Sequence, residues 1–184
     1  MRLPKGYLGI CHKNSIAFTV PAALEWTHSV LSSGATLYDW ASQHSTKEML
    51  AGRGRVFIFP TAGSTENATH WIVRHYQRGG ILARHLDDRY LVTRTPRPLK
   101  ELQASVEARS RGIPTPRIIG GAAYRSGVFY RAELVTEYLS DVTDLASVVF
   151  GVNGRNMAFC TTALHAAGKL VSLLEKERVA HADL

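Results

Sequence analysis

The residues His181, Ala182, Asp183 and Leu184 close a chain of 184 residues. They follow Gly168 to Leu174, whose apolar spacing is that of an amphipathic helix. An aspartate in a loop after such a helix can accept the proton of an attacking hydroxyl, the work of a general base in phosphoryl transfer. His-x-Asp-Leu alone is a weak signal, and its weight comes from what precedes it. Upstream, Arg74, His75, Arg78, Arg84, His85, Arg89, Arg94 and Arg97 face only Asp87 and Asp88 in the same stretch.

That imbalance belongs to a formal net charge of +7, which favours an anionic partner such as nucleotide phosphate, anionic lipid or nucleic acid. A solvated basic face with no specific ligand has the same composition. Hydrophobic content of 45% with 20% charged residues is that of a folded globular chain. Cys11 and Cys160 lie far apart without metal-ligand spacing, which excludes a disulfide framework and predicts two reduced core thiols. The scattered histidines, His70 and His75 included, do not present a metal-binding pair. No apolar run reaches the roughly 20 residues of a membrane span, and His12, Lys13 and Asn14 interrupt any signal-peptide core, so a cytoplasmic location is expected.

The elements that must position these residues follow from periodicity and punctuation. Ser15 to Val20 reads as a strand, and Pro21 opens a helix that Ser32, Ser33 and Gly34 end. Gly52 and Gly54 make a turn feeding a strand through Phe59, which pairs as a hairpin with a strand from His70 to Tyr76. Pro98 starts a helix that runs to Arg111, carries Leu99, Leu102 and Val106 on one face and ends at Gly112. Pro114 and Pro116 precede a short strand at Ile118 and Ile119, and Val128 to Leu139 holds one long strand or two. Asp144 caps a helix, and a last helix from about Thr162 to Lys176 places Leu164, Ala167, Val171 and Leu174 on a buried stripe.

Strands with one inserted helix, then helices, predict an α+β fold with a small antiparallel sheet lobe over a helical lobe. The segments Ala51 to Gly54 (AGRG), Trp71 to Gly80 (WIVRHYQRGG), Arg97 to Glu101 (RPLKE), Arg111 to Pro116 (RGIPTP) and the terminal HADL resemble the lipopolysaccharide kinase (Kdo/WaaP) family. The resemblance covers about residues 51 to 184. It implies a protein-kinase-like arrangement: an N-terminal extension over 1–48, an N-lobe over 49–139, and over 140–184 the first helices of an incomplete helical C-lobe. It also implies ATP with Mg²⁺ as cofactors, and a Kdo sugar on a lipid A precursor or related anionic glycolipid as acceptor. The enzyme would be held peripherally on the anionic cytoplasmic face of the inner membrane and would have no nucleic-acid partner.

Under that resemblance each motif has a task. Gly52 and Gly54 let backbone N–H groups lie close over ATP phosphates, although the same glycines also make a plain hairpin turn. Arg74 stands where protein kinases usually carry a phosphate-contacting lysine, a departure that matters because a guanidinium is planar and bulkier. Arg78 is an alternative cation there, and with Gly79 and Gly80 it is a candidate for touching the acceptor. Glu101 is the expected partner of the strand cation, preferred over Glu107 on another face, though an acid in a first helical turn also offsets the helix dipole. Glu137 and Leu139 flank the expected adenine-contacting hinge, which an edge strand would also explain. Asp183 is the expected base and His181 its supporting loop residue. A kinase's metal-binding asparagine and aspartate would follow Asp183 in sequence, so the expectation is of a C-terminally truncated chain with little catalysis of its own and an apolar stripe left partly uncovered.

Two rivals remain. A kinase-like enzyme for another sugar or an aminoglycoside shares the fold but not the Arg-His-Tyr-x-Arg-Gly-Gly run. A non-catalytic nucleic-acid-binding module would need Arg74 and Glu101 apart, with Trp71, Tyr76 and Tyr90 presented beside the arginines.

Overall fold

A computed structural model describes residues 2–51, 54–61, 70–77, 88–151 and 156–179. The fold is mixed α/β, built on an antiparallel sheet of eight strands: β1 (Leu8–His12), β2 (Ser15–Thr19), β3 (Lys47–Ala51), β4 (Gly54–Pro60), β5 (His70–His75), β6 (Tyr90–Leu91), β7 (Ile118–Ser126) and β8 (Phe129–Glu137). Their order is β1-β2-β7-β8-β5-β4-β3, with β6 paired to the start of β8. The helices are α1 (Leu24–Ser32), α2 (Leu37–His44), α3 (Arg97–Ser110), α4 (Leu145–Phe150) and α5 (Met157–Lys176), with a short 3₁₀ turn at Pro21–Ala23 before α1. The chain forms two compact units, Met1–Val106 with Pro116–Tyr138, and Glu107–Thr115 with Leu139–Leu184.

Alternation along the strands sorts the sheet into two apolar faces. Phe57, Phe59, Val73, Ile119, Ala122 and Val135 point to one face, where Val30 and Leu31 of α1 and Leu37 and Ala41 of α2 cover them. Trp26, Trp40 and Trp71 pack with this group around Phe59. On the other face, Phe18, Ile118, Ala123, Ala132 and Leu134 meet Leu99 and Leu102 of α3, with Val106 half-buried beside them. Each such leucine contributes roughly 2 kcal/mol by leaving water, so the period of α3 fixes which way the helix faces.

Residues 1–48 therefore supply two strands and both covering helices of the sheet unit. Thr36 caps α2 by accepting from the Asp39 N–H at 3.0 Å. Gly112, at φ +77°, takes the left-handed position that ends α3.

Several sequence expectations need correction. Ile118 opens a nine-residue strand instead of a short one, and of the two alternatives for Val128 to Leu139 the structure has the single strand, Phe129–Glu137. The last helix begins at Met157, because Asn156 accepts from the Phe159 N–H and starts it earlier than its apolar period suggested. Its stripe is not buried as a whole: Leu174 is buried against Ala108 and Ile113, which meet only the C-terminal end, while Leu164 and Val171 are exposed. By length and composition α5 is also long and apolar enough to cross a membrane, although its polar residues hid this in a search for unbroken apolar runs. Cys11 is exposed, not a core thiol, because it sits on edge strand β1 pointing away from the buried Ile10; Cys160 is buried.

Candidate functional site

Arg74 follows Val73 on β5, and a one-residue step in a strand reverses direction. Val73 therefore enters the core under α1 and α2, while Arg74 emerges on the α3 face. There its guanidinium forms an ion pair with Glu101, one residue before the buried Leu102 on α3. The pair is only part-covered, with 45% of the Arg74 side chain and 34% of the Glu101 side chain exposed. The other oxygen of Glu101 accepts the Tyr76 hydroxyl at 2.5 Å, so the carboxylate is held from two sides.

Tyr76 is itself wedged between cations. Arg74 lies 5.4 Å and Arg97 5.2 Å from its ring centroid, and Arg97 is also 5.7 Å from the Tyr90 ring. Burial pushes the Tyr76 hydroxyl up to about 12 despite the two arginines, so it remains a donor to Glu101. The arrangement yields a guanidinium with a fixed orientation and N–H groups still open to solvent, suited to a phosphate or carboxylate ligand. Glu107 instead pairs with Arg111 at 2.5 Å.

Of the other sequence-predicted residues, Gly54 opens β4 opposite Ala51, at the end of the hairpin nearest Gln77. A Cβ at Gly54 would come within 2.9 Å of Gln77 Nε2, a close approach that a flexible side chain relieves. Glu137 ends β8, where its carboxylate accepts the Arg117 N–H at 2.6 Å and its own N–H donates to the Arg117 carbonyl at 2.9 Å. Leu139 is exposed just beyond that strand. Gly52, Arg78, His181 and Asp183 lie outside the described residues.

Behind this site is a cluster that the sequence reading did not single out. Glu133 on β8 is 1% exposed, yet its carboxylate accepts from the Tyr38 N–H of α2 at 3.0 Å and from the Tyr124 hydroxyl at 2.7 Å. His75 Nδ1 lies 3.6 Å from Glu133, and its Nε2 is 2.9 Å from Asp88, which Arg131 also engages. Burial opposes the charged imidazole, but Glu133 and Asp88 together outweigh it and raise His75 above its usual value. Burial, reinforced by Glu133, pushes the Tyr124 hydroxyl well up. The available signal was a lone acid among Ala132, Leu134 and Val135, since a buried carboxylate needs partners.

The profile of the Lipopolysaccharide kinase (Kdo/WaaP) family matches residues 40–184, most of the chain. The chain belongs to this family. Proteins named 3-deoxy-D-manno-octulosonic acid kinase are similar to it. One from Xylella fastidiosa (strain M23) is 33% identical over 147 residues, covering 79% of this chain and 55% of the relative. One from Vibrio vulnificus (strain YJ016) is 28% identical over 130 residues, covering 68% of this chain and 52% of the relative. One from Xanthomonas euvesicatoria pv. vesicatoria (strain 85-10) is 36% identical over 118 residues, covering 62% and 45%. The chain spans about half the length of the curated relatives it matches. No solved structure matches it. The matched range holds the Arg74, Tyr76 and Glu101 cluster.

Proposed function

We propose that this chain carries the nucleotide-binding part of an ATP-dependent kinase that phosphorylates a Kdo hydroxyl on a lipid A precursor at the cytoplasmic face of the inner membrane. The observation that carries the proposal is the Arg74 to Glu101 ion pair, in which a helix inserted between β5 and β7 fixes a strand cation. The strand run β3-β4-β5-β8-β7, with α3 against one face, supports reading the sheet as a kinase-like N-lobe.

ATP, when bound, supplies the phosphoryl group. Arg74 would hold its phosphates through the N–H groups that Glu101 leaves open, and Gly54 at the start of β4 would let backbone approach them. Tyr76 and Arg97 keep Glu101 and Arg74 from swinging away. Asp183 would accept the proton of the acceptor hydroxyl, with His181 supporting its loop and Arg78 touching the anionic glycolipid. Near the proposed hinge, the Glu137 carboxylate is already engaged with Arg117, so any adenine contact there falls to backbone groups around Glu137 and Leu139. Mg²⁺ belongs to this reading through the charge of the triphosphate. Among the described residues no group of three or more His, Cys, Asp or Glu side chains converges to hold a metal.

The nucleic-acid reading lacks the platform it needs, because Tyr76 and Tyr90 are buried and Trp71 is packed against Trp26 and Phe59. The test is a chimaera in which residues 40–184 replace the aligned segment of the Xylella fastidiosa relative. Its transfer of labelled phosphate from ATP to Kdo-lipid A is then measured with and without Asp183→Asn. Activity that falls at least about 100-fold in the variant supports the base; activity retained in the variant overturns that role.

A further inference from the structure

One end of the sheet combines charge and exposed aliphatic side chains in a way the nucleotide site does not use. The β7–β8 turn, with Gly127 at φ +60°, lifts Val128 to 65% exposure. Beside it, the Val92 N–H donates to the Val128 carbonyl at 2.9 Å and Leu91 pairs with Phe129, leaving Leu91 57% exposed and Val92 also exposed. The Arg125 N–H donates to the Asn14 carbonyl at 2.9 Å, which brings the β1–β2 turn and Lys13 to the same end.

Two hollows flank this ridge. One, of about 430 Å³, is lined by Lys13, Ile16, Val92 and Arg125 among others; the second, of about 310 Å³, has Arg89, Arg125 and Arg131 in its wall. Arg94 follows Val92 by two residues and is exposed. Among the described residues, the acid beside these cations is Asp88, which is shared between His75 and Arg131.

We propose that this tip, with Leu91, Val92 and Val128 as its apolar edge and Lys13, Arg89, Arg94, Arg125 and Arg131 around them, is the face that docks on an anionic lipid bilayer. The inference rests on the reading above that the acceptor is a membrane glycolipid, and it names the surface that meets the membrane. Aliphatic side chains that enter the headgroup region add buried apolar area to electrostatic attraction, the combination that holds a protein on an interface. A nucleic-acid surface would instead present exposed aromatic rings between the arginines, and here Tyr90 and Tyr130 are buried and Phe129, paired with Leu91, is half-buried.

The test is flotation of the 184-residue chain with vesicles of phosphatidylethanolamine and phosphatidylglycerol, against vesicles of phosphatidylcholine alone. Arg94→Gln and Arg125→Gln are expected to weaken binding about fivefold for each charge removed. Val128→Ser with Leu91→Ser should weaken it several-fold without changing its salt dependence, and Lys169→Gln on α5 should leave it unchanged. Equal binding to both vesicle types, binding to neither, tip variants that bind like the parent, or a Lys169→Gln loss as large as theirs would overturn the proposal. So would tight binding to a DNA or RNA oligonucleotide without vesicle binding. ATP binding measured on the same samples separates the two readings: loss of vesicle preference with ATP binding intact removes only the docking face, and the converse removes only the kinase reading.

Discussion

The hydroxyl of Tyr76 donates to the same Glu101 carboxylate that pairs with Arg74, tying the end of β5 to α3 through a shared acceptor. Tyr76→Phe keeps the ring between Arg74 and Arg97 but frees one carboxylate oxygen. The expected outcome is a loss of about 1 kcal/mol of folding stability, read by chemical denaturation, with a few-fold fall in ATP affinity.

Leu102 is fully buried next to Glu101 in sequence and anchors α3 to the sheet. Leu102→Ala should cost about 3 kcal/mol through lost burial and the cavity left behind. Because it loosens the helix that carries Glu101, ATP affinity should fall even in samples that remain folded. Stability loss with unaltered affinity would show that α3 does not position the site.

How much of this was legible in the sequence depended on whether one element sufficed to reveal it. Leu99, Leu102 and Val106 mark the buried face of α3 by period alone, and Gly112 marks its end by the backbone angle it permits. The β4–β5 hairpin followed from two β-branched and aromatic runs, and its register then set Val56 opposite Arg74. Strand β1 and helix α2 were not legible, because Leu8–His12 and Leu37–His44 become regular only against partners distant in sequence. The Glu133 cluster was hidden for the same reason: Tyr38, His75, Asp88 and Tyr124 come from different segments. At α5 the apolar period marks a helix, but a stripe records what a helix is able to bury, and Leu164 and Val171 are exposed.

Glu133 supplies the next expectation. Its carboxylate is held by the Tyr38 N–H, the Tyr124 hydroxyl and His75, so Glu133→Gln keeps the shape but exchanges a charged acceptor for an amide that must orient one N–H₂ among donors. A loss of roughly 2 kcal/mol is expected, measured by urea denaturation. A neutral or stabilising effect would mean that the buried charge is not matched by its partners.

His75 makes stability depend on pH. Its folded value is raised above 6.5 by Glu133 and Asp88 acting against burial. The folded state therefore holds a proton more tightly than the unfolded chain. The resulting stabilisation is fully present below 6.5 and is lost as pH rises through the raised folded value. Denaturation midpoints should fall across that window in the parent and stay flatter in His75→Gln. An equal slope in both would assign the effect to another group.

The most direct test of the account is calorimetric titration of ATP into the 184-residue chain, its Arg74→Ala variant and its Arg74→Lys variant. The account predicts binding by the parent, a loss of about tenfold or more in Arg74→Ala, equivalent to about 1.4 kcal/mol, and partial recovery in Arg74→Lys. A parent that binds no ATP, or an Arg74→Ala variant that binds it as tightly as the parent, would contradict it.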